Sequence, residues 1–330
     1  MTSRVQLRET LSFSQGIAPP RYESEFSDDV VAVWRAQGRL GDGSPEEHFR
    51  LDRREDLPVE WRPPREDKAV PESQADLGSF RRAYDPDRTD KLPGDWAERL
   101  PDWRDRDYAL SISPWNEGFF QVIGIRDWRS FHKAIRLLHD QPTLVRALMD
   151  QYAAYLEELI ERGLTDVDVD YAVLYEPIAS NHAPVVSPDT YARLALPAMR
   201  RVVDCLERHG VAFRFLWTAG EVRPLIPHWL DAGINGLVIN QTGTVGISYA
   251  ALRREFDPRL RFFGGIDWRA VARGPEAIDE ALDQTVRPLL EQGGYVPYLD
   301  DTVRANLPFD AFRYYRRRLD DLVAEVFGQR

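Results

Sequence analysis

Short apolar runs recur along this chain, and each is followed by a stretch whose apolar positions repeat every three or four residues. The runs in YALSISP, DYAVLYE, VAFRFLWTAG, GLVINQ, RLRFFGGID and YVPYLDD read as strands buried on both faces, as parallel strands are. Helical periodicity follows them: after Arg126 with Phe131 and Leu137-Leu138, from Thr143 to Arg162, from Ser187 to Gly210, around Leu225 to Leu230 before Gly233, from Tyr249 to Phe256, from Pro275 to Gln292, and from Phe309 to Phe327. Ser187-Pro188 is a helix start, a hydroxyl cap followed by proline at the first helical position. With PPRYESEF (Pro19 to Phe26) as an early strand before a helix from Asp28 to Gln37, there are seven or eight strand–helix units. That repetition predicts a single (β/α)8 barrel spanning residues 1–330. Residues 1–18 are expected to form a short helix or arm. Residues 41–94, rich in Pro, Arg, Asp and Glu, read as an irregular insertion covering the barrel mouth.

Composition narrows the function. A net charge of -11 excludes a partner held by its phosphate backbone, which needs a concentrated positive surface. One cysteine, Cys205, excludes an intrachain disulfide, and its place in a helical pattern reads as a packed thiol. No apolar segment approaches a membrane span, so the expectation is a cytoplasmic enzyme with a small-molecule substrate. No GxGxxG or GxxxxGK loop follows a strand, which weighs against a nucleotide fold.

In a barrel, chemistry gathers at the carboxyl ends of the strands. The residues falling there are Glu23, Trp115, Asn116, Glu117, Tyr175, Glu176, Trp217, Thr218, Asn240, Gln241, Asp267, Trp268, Asp300 and Asp301. Converging carboxylates repel, so some are expected to titrate high and act as acids near neutral pH. Glu176, Asp267 and Asp301 are the catalytic candidates, with His182 in the loop beyond Glu176. Glu23, Trp115, Asn116, Tyr175, Trp217, Asn240, Gln241, Trp268 and Asp300 are the candidates for substrate contact. Asp300 and Asp301 are adjacent, so only one can point inward, and which one stays open. The alternating Asp166, Asp168 and Asp170 lack the glycine and glutamate of a calcium loop and read as a solvated strand entry.

Several segments, in order, resemble the uroporphyrinogen decarboxylase superfamily: YEPIASNHAPVVSP, LPAMRRVVDCLERHGV, EVRPLIPHWLDAGINGL, FFGGID, LLEQGGYVPYLDD and FRYYRRRLDDL. The resemblance covers roughly Tyr108 to Leu322 and is closest to the divergent decarboxylase-like and methyltransferase-like branch. It implies a (β/α)8 barrel, cofactor-free decarboxylation or zinc-dependent methyl transfer, and pairing of two barrels in a homodimer. The chain departs from it at specific places. The methyltransferases' His-x-Cys-Gly is replaced by Trp217-Thr218-Ala219-Gly220, so the thiol-activating zinc site is not expected and no metal or cofactor is assigned. Asp-x-Asp-Gly is common at that same position in the divergent branch, a His where this chain has Asp301, and a Lys where it has Trp268. The arginine-rich propionate-binding N-terminus of the porphyrinogen decarboxylases is not reproduced. The reading is therefore a specialised cofactor-free lyase or decarboxylase on a small or medium organic acid. The alternatives are a one-carbon transferase lacking the thiol-zinc site, and a non-catalytic ligand-binding paralogue.

Overall fold

The computed structural model describes residues 1–63, 73–88, 90–125 and 128–328. Among these, seven strands form: β1 Arg54–Asp56, β2 Ala109–Ile112, β3 Tyr171–Tyr175, β4 Arg214–Ala219, β5 Gly236–Asn240, β6 Arg261–Phe263 and β7 Tyr295–Val296. The chain divides into two compact units. The first comprises Met1–Arg54, Asp107–Ala109 and Gly236–Arg330; the second comprises Glu55–Arg106 and Leu110–Asn235.

In the second unit β2, β3 and β4 are parallel neighbours, with Ser111 opposite Tyr171 and Tyr175 opposite Trp217. Between them run the helices Trp128–Asp140 and Pro142–Leu164, then Pro188–Leu194 and Leu196–Arg208. Leu144, Leu148, Tyr152, Leu156 and Leu159 form one fully buried face of the 23-residue helix Pro142–Leu164. The Ser187 cap forms as read, its hydroxyl accepting from Thr190 N at 3.2 Å. The single helix expected from Ser187 to Gly210 is instead two, meeting at Ala195, because Pro197 cannot donate the hydrogen bond that would carry the first helix onward.

In the first unit β5, β6 and β7 are parallel neighbours, with Leu237 opposite Phe262 and Phe262 opposite Tyr295. The expected helix Pro275–Gln292 is continuous but carries a π segment at Leu282–Val286, just before Pro288, whose missing N–H the wider turn absorbs. The closing helix is Phe309–Phe327, as the periodicity predicts. Its Phe309 and Phe312 pack with Phe26, Trp34 and Phe49 at ring separations of 4.9 to 5.7 Å.

Two local expectations are corrected. Pro19 to Phe26 is not a strand: two prolines remove ladder donors, and only Phe26 bridges, to Val303. The Asp166–Asp170 entry is not wholly solvated. Asp170 is buried, accepting from Leu110 N at 3.0 Å and from Arg106 at 3.0 Å, in an ion pair whose side chains are 1% and 0% exposed. Within 41–94, the described parts include the helices Pro45–His48 and Leu77–Ala83, and bury Leu57, Trp61, Phe80 and Tyr84. Residues 64–72 and 89 of that insertion lie outside the described residues. No helix among the described residues is long and apolar enough to cross a membrane. Parallel strands alternating with helices fit an α/β, TIM-barrel-like fold.

Candidate active site

At the carboxyl end of β3 the backbone N–H of Glu176 donates to Trp217 O at 2.9 Å, and Thr218 Oγ1 donates to Glu176 O at 2.8 Å. This holds Glu176 in register beside β4; its side chain is 0% exposed and reaches the helices Gly118–Val122 and Pro188–Leu194. Oε1 accepts from Phe119 N at 2.9 Å; Oε2 accepts from Trp115 Nε1 at 3.1 Å and from the Tyr191 hydroxyl at 3.2 Å. Trp229 Nε1 donates in turn to the Tyr191 oxygen at 3.2 Å. All three donors to the carboxyl are uncharged. Burial outweighs them and pushes the carboxyl from 4.5 up to about 7. Gly118 makes the approach possible: it has φ +63°, and a Cβ there would stand 3.0 Å from both Glu176 Oε1 and Tyr175 O.

At the same strand ends the Tyr175 and Trp217 rings lie half-buried, 5.4 Å apart, placed together by the β3–β4 register. Asn116 is half-buried too, and its Oδ1 is enclosed without a hydrogen-bond partner among the described residues. Trp115 is 0% exposed and serves Glu176 rather than presenting a face. His182 is on an exposed turn whose backbone is tied to Ser180 Oγ; its imidazole has no hydrogen-bond partner among the described residues.

The first unit has its own carboxyl cluster past the ends of β5, β6 and β7. Asp300 is 2% exposed, with Oδ2 accepting from Thr242 Oγ1 at 2.7 Å and Oδ1 from Trp268 N at 3.1 Å; burial pushes it up to about 6. Asp301 is less enclosed, its side chain 12% exposed, and accepts from Gln241 Nε2 at 2.9 Å. The two adjacent carboxylates, which lie in a bend beyond β7, thus differ in burial, Asp300 being enclosed and Asp301 partly exposed. Gln241 has φ +53°, a left-handed conformation that costs energy in a residue with a Cβ, and its N–H donates to Asp300 O at 3.0 Å. Asp267 caps the following helix, accepting from Arg269 N at 3.0 Å and Arg269 Nε at 2.9 Å. Asn240 and Trp268 are half-buried close by in sequence.

Glu23 belongs to neither cluster. It is buried, with Oε1 accepting from Leu299 N at 2.9 Å and Oε2 paired to Arg316 at 3.2 Å, where it ties the N-terminal segment to the last helix. A cavity of about 380 Å³ lined by Arg21, Asp52, Pro297, Arg316 and Asp320 shares Arg316 with that pair, and none of the strand-end candidates lines it. Tyr191, Trp229 and Thr242 were missed in sequence. Tyr191 stands one helical turn beyond the Ser187 cap, a spacing that marks the face turned toward the strand.

Parallel strands followed by helices, with protonatable carboxyls and aromatic rings at the strand ends, define an α/β protein of the TIM-barrel-like class. The family model for uroporphyrinogen decarboxylase (URO-D) matches residues 112–314, and the chain belongs to that family. The family includes decarboxylases. No curated protein matches the chain.

Proposed function

We propose that this chain is a URO-D-like carbon–carbon lyase on a (β/α)8 barrel, which removes a carboxyl group from a small or medium organic acid without a cofactor. The observation that supports this reading is Glu176, a fully buried strand-end carboxyl that ionises near pH 7 beside uncharged donors only. When CO2 leaves, the electron pair of the broken carbon–carbon bond remains on the substrate carbon, which then takes up a proton. A carboxyl ionising near 7 carries that proton at neutral pH; one at its ordinary value of 4.5 does not. While protonated, it also does not repel an anionic substrate. Tyr175 and Trp217 offer the aromatic wall against which the substrate's apolar part packs.

The test is CO2 release from a panel of mono-, di- and tricarboxylic acids, with uroporphyrinogen included. The expected pattern is turnover of a smaller acid in preference to the porphyrinogen. Glu176→Gln keeps the side chain's size and is expected to lower kcat by roughly two to four powers of ten. Unchanged turnover in that variant removes Glu176 from the mechanism, and no CO2 from any acid removes the lyase reading. Pairing of two copies in a homodimer is part of the same proposal and is checked by light scattering on the purified protein.

A further inference from the structure

The helices Pro142–Leu164 and Leu196–Arg208 lead into β3 and β4, so their last turns lie toward the N-terminal ends of those strands, away from Glu176. Three residues converge there. Cys205 and His209 are four apart on one helix face, and Glu161 reaches them from the neighbouring helix. His209 Nε2 is 2.9 Å from Glu161 Oε2, Cys205 Sγ is 3.8 Å from Glu161 Oε1, and one ligand atom from each residue lies within 4.8 Å of the others.

We propose that Glu161, Cys205 and His209 form a zinc site that pins these two helices together. Zinc binds sulfur at about 2.3 Å and nitrogen or oxygen at about 2.0–2.2 Å, which sets neighbouring donors of a tetrahedron roughly 3.3–3.7 Å apart. The observed separations bracket that spacing, so small side-chain rotations bring all three donors onto one ion. A mixed thiolate, imidazole and carboxylate set suits zinc; magnesium and calcium take oxygen ligands in larger number. Glu161 is exposed and His209 half-buried, leaving the fourth position to a water molecule. Binding takes the thiol as thiolate, its proton passing to solvent. The nearest competing cation, Arg208, lies 3.9 Å from Glu161 with a side chain 60% exposed, and can swing into water. A His209–Glu161 ion pair alone accounts for two of the residues. It leaves the buried thiol with only weak, long S–H contacts, to Glu161 Oε1 at 3.8 Å and Glu157 O at 4.0 Å.

Metal-stripped full-length protein titrated with cobalt(II), followed by zinc, tests this. The expected result is one equivalent of cobalt giving a thiolate-to-cobalt charge-transfer band and tetrahedral visible bands, both abolished by zinc. The band is expected to be absent in Cys205→Ser and weakened in His209→Gln. Zinc at about a hundredfold excess over its Kd is expected to raise the Tm by a few degrees, roughly 3–6 °C, in wild type and not in the variants. No band, or a band and Tm shift unchanged in His209→Gln and Glu161→Gln, overturns the site. Those two accessible variants carry the test should Cys205→Ser fail to fold.

Discussion

Replacing Glu176 by Gln should change how the protein's stability depends on pH. The carboxyl is fully buried and its ionisation lies at about 7, against 4.5 for an exposed glutamate, so between those values the folded chain holds a proton that the unfolded chain has released. The folded state then binds more protons, and stability falls as pH rises through this window. Below 4.5 both states are protonated and the effect vanishes; above about 7 both are ionised and the loss is complete. At about 1.4 kcal/mol per pH unit, the rise corresponds to ~3 kcal/mol of stability lost across the window. Gln cannot ionise, so Glu176→Gln should escape this loss, whatever constant cost it incurs by presenting an amide N–H to Trp115 or Tyr191. Urea unfolding of both proteins at half-unit steps from pH 4 to 8.5 measures the difference between the two curves. Asp300 and every other group titrate in both proteins and cancel. A gap that changes by ~3 kcal/mol in favour of the variant over that range is the expected outcome. Parallel curves would refute the burial argument for Glu176.

Three further outcomes follow from the same structure. Tyr191→Phe removes one donor to the Glu176 carboxylate, so its ionisation should move to still higher pH, visible as a shift in the pH dependence of turnover. Arg316→Met strands buried Glu23, whose side chain is 0% exposed, and should cost about 3–5 kcal/mol in denaturant unfolding; adding Glu23→Leu should recover much of it, and a loss that persists in the double variant counts against the ion-pair account. Gly118→Ala places a methyl against Glu176 Oε1 in a left-handed conformation, so it should lower both Tm and turnover, whereas Gly16→Ala, with φ +72° and open space around it, should lower only Tm.

The elements that could be read from sequence are those with strong local signals. Ser187-Pro188 and the Phe309–Phe327 stripe each carry their boundary in a cap or a period, and both appear where the pattern puts them. What escaped depends on long-range geometry. Pro197 and Pro288 each remove one helix donor, yet one breaks its helix and the other is absorbed in a π segment, a choice made by packing. β1 is Arg-Glu-Asp, with no apolar period to mark it. Asp170 looks like a solvated acid until Arg106, far away in sequence, is folded onto it. At the strand ends, sequence placed Glu176 and Asp300 at the carboxyl edge, but it could not show that both are buried. Nor could it show that Trp115 and Tyr191 serve the Glu176 carboxyl, or that Glu23 is spent on Arg316.

The most direct measurement is the pH profile of kcat for CO2 release by wild type and Glu176→Gln on the best acid of the panel. A proton donor ionising at about 7 predicts turnover that is level on the acid side and falls as pH rises through about 7. In Glu176→Gln that descending limb should be gone, at a rate roughly two to four powers of ten lower. A variant that keeps the limb and the wild-type rate contradicts the account.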